Sequence, residues 1–478
     1  MIKRWWFWVM VGLEAGKLLV LLLAGPAVLS HDAATYWELG QRIAEGDWWL
    51  LHVPIAYRTP GYPWVLGLCR YMVGDGAWWL LLVLQHVAVG ITTWLVLRWV
   101  WEETGEVRAV AMTFMLAWLS WGRASYAAVV LSETFFTLCL TAAVWGMRYP
   151  SCWTLRGWWW LSTALSGACL LRPVGLVLWL PWCWQTWKMW QQAGKLPQGV
   201  GSRRSGITTR EVLLAAVLTS GVGWLPIVAW VMRNGIVTQH WAYTVFLGRE
   251  LWVGCFGPGW PGPLNWPDTP TARELMRSLP PEVDRHHNWS VARGLMHAGY
   301  SDAQADDLMR QVACAAIARQ PGRFAWRAVN RGVLFWRVKF DPAEAHYLQA
   351  EPSSSQASGS AQFPWRITLA VWLRGLSWHW AWERARWLTE LAWMAGACWI
   401  WRCWRKTPPP QRSNLTNSVS PCLWTIVSLW LFTSLLEYPN YRYRMVLEPL
   451  FLALFGVCWP SSRHALKAER SPSSVQDN

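Results

Sequence analysis

Charged side chains are scarce in this 478-residue chain: they make up 15% of it, against roughly 25% in soluble globular proteins. Acidic residues are the scarcer kind, 28 against 43 Lys and Arg. So little charge excludes a water-soluble globular domain, and it equally excludes a disordered chain, which needs many charges and few apolar groups. No self-similar period of about 20 to 50 residues is visible, which removes solenoids and propellers. The 11 cysteines are scattered, which removes a disulfide-stapled secreted scaffold. What is abundant is apolar and aromatic: 54% of the residues are hydrophobic and 46 are Trp. The mean hydropathy of only +0.15 understates the affinity for lipid, because indole scores as near neutral yet prefers the membrane–water interface. A net charge of +15 would point to nucleic acid in a soluble chain; in a polytopic one it reflects positive cytoplasmic loops.

Crossing about 30 Å of hydrocarbon takes about 20 mostly apolar residues in a helix. Ten such runs lie near residues 5–25, 77–100, 107–122, 127–147, 157–171, 173–190, 211–232, 385–404, 421–436 and 443–460. Two more, 62–73 and 364–380, are short or broken by Arg374 and His379 and read as interfacial or half-buried. The expected fold class is an all-α polytopic membrane protein with a small helical extracytoplasmic subdomain. Its parts are a transmembrane module over 1–232, the extracytoplasmic helical region over 233–365, and a second transmembrane module with a short tail over 366–478. The first run follows Lys3 and Arg4 and reads as an uncleaved anchor. The loops holding Arg148 and Arg156, then Lys195, Arg203, Arg204 and Arg210, then Arg402, Arg405, Lys406 and Arg412 fall on one side by span parity. The positive-inside rule makes that side the cytoplasm, with both termini there and the cell (inner) membrane as location. Residues 26–75 and 233–365 are then outside.

The 233–365 region shows helical patterning at 271–278, 291–298 and 302–318, a break at Gln320-Pro321-Gly322 before a further helix, and a flexible run from Pro352 to Ser360. It holds Cys255 and Cys314, for which a disulfide stays open, and Asn288-Trp289-Ser290, which fits the glycosylation triplet. Cys398 and Cys403 have no His partner at ligand spacing, so zinc is not expected.

Polar groups at membrane depth are expensive, and here they gather toward one side. Asp32 follows the first span and opens an amphipathic stretch; capping that helix is its plain structural role. Arg58 sits in a turn punctuated by Pro60, Gly61 and Pro63, where it could be a snorkelling anchor. Glu133, Arg172 before Pro173, Glu437, Arg442 and Arg444 fall at the same depth, and each alone could be a buried ion pair or a cap. Together they place carboxylates and guanidinium groups from distant segments where an anionic lipid-linked substrate would need them.

These landmarks, in this order, are Asp32-Ala33-Ala34-Thr35-Tyr36, Arg58-Thr59-Pro60-Gly61-Tyr62-Pro63, Ser132-Glu133, Leu171-Arg172-Pro173-Val174-Gly175, Arg233-Asn234, Gly248 to Gly254, and Arg442-Tyr443-Arg444. They resemble the multi-spanning polyprenyl-phosphate-sugar-dependent glycosyltransferases of the C-type (GT-C) fold, in the branch of protein mannosyltransferases and lipid A aminoarabinose transferases. The resemblance runs from about residue 30 to 455. It implies transfer of a sugar from a polyprenyl-phosphate carrier to an acceptor hydroxyl on the extracytoplasmic side, with inversion. It implies Asp32 and Glu133 as catalytic acids, Asp32 as the base, and Arg58, Tyr62, Arg172, Arg442 and Arg444 around the donor phosphate. His31 stands where many relatives carry a second acid, which leaves a divalent metal undecided and no cofactor certain. The sugar, the carrier length and the acceptor, whether glycolipid, glycan or protein, stay open. The alternative is a transporter or flippase for a lipid-linked or anionic substrate, against which stand the missing internal repeat and the charges at span ends rather than midplane.

Overall fold

In a computed structural model of the chain, the structure describes residues 31–119, 126–127, 129–155, 157–193, 208–337, 409–436 and 441–458, with short pieces between 8 and 19. Sixteen α-helices and no strand occur among them. Most of the expected 5–25 span, the 385–404 span, the 364–380 segment, the Pro352 run, Glu437, the loop from Lys195 to Arg204, Cys398, Cys403 and the C-terminal tail lie outside the described residues.

Among the described residues three helical stretches are long and apolar enough to cross a membrane: Gly61–Thr104 with 44 residues, Thr209–Thr238 with 30 and Val419–Leu436 with 18. Val107–Trp118, Glu133–Met147 and Glu448–Val457 are apolar but shorter. Two of the ten expected spans, 5–25 and 385–404, lie largely or wholly outside the described residues, and three of the others are broken within. The run from 127 starts as irregular chain and turns helical only at Glu133, and the run from 443 is split into the short helix Tyr441–Met445 and a new helix that carries a proline in its first turn. The run from 173 divides likewise, into a 3-10 turn Pro173–Leu178 and the helix Trp179–Ala193. The 62–73 segment is half-buried, one of the two readings expected of it, with Leu68, Tyr71 and Met72 exposed. It is the helix Gly61–Val73, joined by a three-residue 3-10 turn to Ala77–Thr104, and it is buried at Tyr62, Leu66 and Cys69.

Thr209–Thr238 leaves Val217, Leu225 and Ile236 at 66%, 63% and 63% exposure. A row of aliphatic side chains without protein partners is stable in lipid and not in water, and the chain is an integral membrane protein. The helix starts with a capping box, Thr208 and Glu211 bonding each other's backbone N–H. It runs past the module boundary expected at 232 to Thr238. Near that end the buried Arg233 donates to the carbonyls of Trp49 at 3.0 Å, Val53 at 2.5 Å and Ile55 at 2.7 Å, and to that of Leu50. Asn234 holds the next segment through the carbonyls of Ala242 and Tyr243, both at 2.9 Å. Saturating a buried guanidinium with backbone acceptors fixes the loop that supplies them.

Helix His31–Ala44 lies on Gly61–Val73 at close range because two glycines meet large neighbours. A Cβ on Gly67 would stand 2.3 Å from Ile43 Cγ2, and one on Gly40 2.6 Å from Leu66 Cβ. Gly61 in turn presses on the end of helix Trp158–Leu171, where a Cβ would come 2.7 Å from the Leu170 carbonyl.

The region after Ala242 builds a second core from Trp252, Phe256, Leu275, Leu295, Met309 and Val312. Its helices are Leu247–Phe256, Pro270–Ser278, Asn288–His297 and Asp302–Arg319. Three begin at side-chain caps, Thr269, His287 and Ser301. Pro321–Arg337 then ties this unit to Val419–Leu436: Arg331 donates to the carbonyls of Ser434 at 2.7 Å and Leu435 at 3.0 Å. Cys255 and Cys314 are both free, the first buried and the second exposed, so the disulfide left open by the sequence is not formed.

Candidate active site

Five of the predicted residues converge. Asp32 lies in the first turn of His31–Ala44, and both of its oxygens accept from guanidinium groups: Oδ1 from Arg58 Nη2 at 2.5 Å and Oδ2 from Arg442 Nη1 at 3.0 Å. That replaces the helix-capping role as the account of its carboxylate. Glu133 opens helix Glu133–Met147 and is 2% exposed; its Oε1 lies 2.5 Å from Arg172 Nη1 and 4.0 Å from Arg442 Nε. Arg172 leaves the end of Trp158–Leu171 in an extended conformation, φ −149° and ψ 139°, as the following Pro173 requires by disfavouring helical angles before it. Arg442 is the link between the two pairs.

These groups line a cavity of about 370 Å³ together with Tyr36, Tyr57, Phe246, Glu250, Asn288, Trp289 and Tyr443. The guanidinium of Arg58 packs over Tyr36 and Tyr57 at 4.7 and 5.3 Å, and those of Arg442 and Arg172 over Tyr443 at 5.1 and 5.4 Å. Burial pushes the Asp32 carboxyl up, but the Arg58 and Arg442 charges outweigh it and hold Asp32 well below the ordinary carboxylate range. Burial disfavours the charge on Arg58, and the neighbouring Tyr36 and Asp32 reverse that and raise its pKa.

Two predicted residues stand apart. Tyr62 is fully buried outside the cavity lining, its hydroxyl donating to Gln85 Oε1 at 2.8 Å and its ring edge-on to Tyr36 at 5.0 Å. Arg444 also lies outside the lining and donates to the Trp336 carbonyl. Both side chains take up interior structural contacts. Asn288 is 9% exposed and faces the cavity, a position closed to a glycosylating enzyme. Among the described residues no group of three or more His, Cys, Asp or Glu converges as a metal site would need, and Asp32 and Glu133 are engaged by guanidinium groups. Tyr36, Tyr443 and Glu250 were not picked out from the sequence although they sit inside the quoted landmarks, and Tyr57 directly precedes one; Phe246 and Trp289 carried no signal beyond being aromatic.

No protein-family model matches the sequence, and no curated protein does. Two solved structures are similar to the chain. One is ArnT from Cupriavidus metallidurans in the apo state, at 13% identity over 96% of this chain and 78% of that one, with a TM-score of 0.37. The other is ArnT from the same organism bound to undecaprenyl phosphate, at 13% identity over 95% and 78%, with a TM-score of 0.36.

Proposed function

We propose that the protein is a membrane glycosyltransferase that moves a sugar from a polyprenyl-phosphate carrier to an acceptor hydroxyl on the extracytoplasmic side, with inversion. The observation that carries this reading is the convergence of Arg58, Arg172 and Arg442 on Asp32 and Glu133 in one cavity. The three guanidinium groups supply the donors that the anionic phosphate of a sugar–phosphate–lipid diester would need.

In the free protein the carboxylates take the places that phosphate oxygens would take. A guanidinium fork matches phosphate as well as carboxylate, so the donor competes for Arg58 and Arg442 and releases Asp32. Release matters, because a carboxylate held far below its ordinary pKa is a weak base. Freed of its partners, Asp32 accepts the proton of the acceptor hydroxyl while that oxygen bonds the anomeric carbon. The anomeric C–O bond to phosphate breaks, and the phosphate leaves with the electron pair. The arginines stabilise the second negative charge growing on it, in a site where burial makes such contacts stronger than in water. Glu133, paired with Arg172, holds the arginine cluster together.

The test is chemical. Detergent-purified protein given a radiolabelled polyprenyl-phosphate sugar and envelope extract as acceptor should release polyprenyl phosphate. Movement of the lipid-linked sugar with its sugar–phosphate bond intact would identify a flippase and overturn the proposal.

A further inference from the structure

One wall of the cavity has no part in the chemistry above. Tyr57, Phe246 and Trp289 come from three separate segments and cluster there, with centroid distances of 5.3 Å for Tyr57 and Trp289, 5.7 Å for Phe246 and Trp289, and 6.3 Å for Tyr57 and Phe246. Arg249, which is fully buried and outside the cavity lining, packs against all three rings. Its guanidinium carbon is 5.0 Å from the Trp289 centroid, 5.4 Å from Tyr57 and 5.8 Å from Phe246. Asp302 pairs with that guanidinium, and Asp306 accepts the backbone N–H groups of Gly248 and Arg249, each at 2.9 Å. Nε and Nη1 of Arg249 have no hydrogen-bond partner, so the faces of the rings are what those edges of the cation meet. The wall is therefore anchored from behind, and its rings are set before a ligand arrives.

We infer that this wall is a saccharide subsite. This rests on the glycosyl-transfer reading and assigns the sugar its place in the same cavity. A pyranose has one face of C–H bonds polarised by neighbouring oxygens, which suits the negative face of an aromatic ring; its hydroxyls need polar groups at the margin. Asn288 and Glu250 line the cavity beside the rings and supply them. An isoprenoid chain suits the wall poorly, since polar residues interleave with the rings. The sugar stacked there is the one on the donor or one on the acceptor.

The experiment compares full-length parent and Trp289→Ala proteins in detergent, with Trp289→Tyr as the ring-keeping control for folding. Three probes are used: a bare polyprenyl phosphate, the same lipid carrying a hexose, and a methyl glycoside as soluble acceptor. If the donor sugar stacks on the wall, Trp289→Ala weakens the sugar-bearing lipid by about tenfold, the size of loss typical when a buried aromatic anchor is truncated, and leaves the bare lipid unchanged. If the acceptor sugar stacks there, both lipids bind as in the parent and KM for the glycoside rises by a similar factor with kcat nearly kept. In either case Trp289→Tyr recovers most of the loss. Equal weakening of both lipids, or no change with any probe, would overturn the subsite while Arg58-dependent binding of the bare lipid leaves the transfer reading standing. A parent protein that binds neither lipid would bring down the transfer reading and this inference together.

Discussion

Arg442 lies beside two acids of the cavity, 3.0 Å from Asp32 and 4.0 Å from Glu133, so a change at any of the three is felt by the others. Asp32→Asn keeps the shape and removes the charge, and activity should fall by about 10²- to 10⁴-fold, the usual contribution of a positioned base. The same substitution takes from Arg58 its paired carboxylate and from Arg442 the nearer of its two in a mostly buried place, so the free protein should melt lower. Bare polyprenyl phosphate should then raise the melting temperature of the variant more than that of the parent. The pH dependence follows from the sign of the shift. Asp32 is held below its ordinary value of about 3.9, so its contribution to stability is complete above that value and disappears only as pH falls through the lower folded value. The gap between parent and variant melting temperatures should therefore be flat from about pH 5 to 8; a gap that closes inside that window would contradict the pairing. At Arg58, Ala should weaken donor binding by about 1.5 to 3 kcal/mol, the worth of a charge-assisted contact. Lys should weaken it less, measured as the Kd of the bare lipid. Asp32, Arg58, Glu133, Arg172 and Arg442 were legible in the sequence because a charge near lipid demands a reason. Tyr62 and Arg444 were not separable from them, since a polar residue inside a motif reads the same whether it faces a cavity or satisfies a neighbour such as Gln85 or the Trp336 carbonyl.

At the scale of elements, the turn that carries Arg58 is seated by Gly61 on the last carbonyls of Trp158–Leu171, two residues before Arg172. Gly61→Ala would push these apart, and backbone rather than a flexible side chain is what must yield. The expected result is a loss of donor affinity together with a loss of stability of about 1 to 3 kcal/mol, the range for an overpacked interior, read from thermal unfolding and lipid titration. Normal affinity in a stable variant would show the two arginines to be positioned independently. The helices of the 270–337 region agree with their sequence signals within a few residues, because caps and a proline mark their starts. The spans were harder to read. Hydropathy measures how apolar a stretch is, and it cannot see where Pro173, Pro449 or the irregular chain before Glu133 ends one helix and starts another. Phe246 and Trp289 are brought together by packing of segments some 40 residues apart in a chain with 46 Trp, so no local pattern marks them.

For the whole molecule, the proposed sidedness puts 26–75 and 233–365 outside the cytoplasm, and labelling decides it. A thiol introduced at 355 should react with an impermeant maleimide on intact cells while one introduced at 200 should not; the reverse would place the cavity on the wrong face. The class of the molecule was the easiest part to read, since scarcity of charge is a property of the entire chain. The helix Thr209–Thr238 has a consequence at this scale as well. At about 1.5 Å per residue its apolar run from 211 to 232 extends for about 33 Å, close to the hydrocarbon thickness of about 30 Å, and much of its surface faces no protein. A helix so matched must lean in a thinner bilayer and is strained in a thicker one, and Arg233 near its end holds the loop from Trp49 to Ile55 that leads to Arg58. Under the transfer reading, membrane thickness should therefore reach the cavity: reconstituted in vesicles of short, medium and long acyl chains, the parent should show a transfer rate that peaks at one thickness, and Arg233→Ala should flatten that peak.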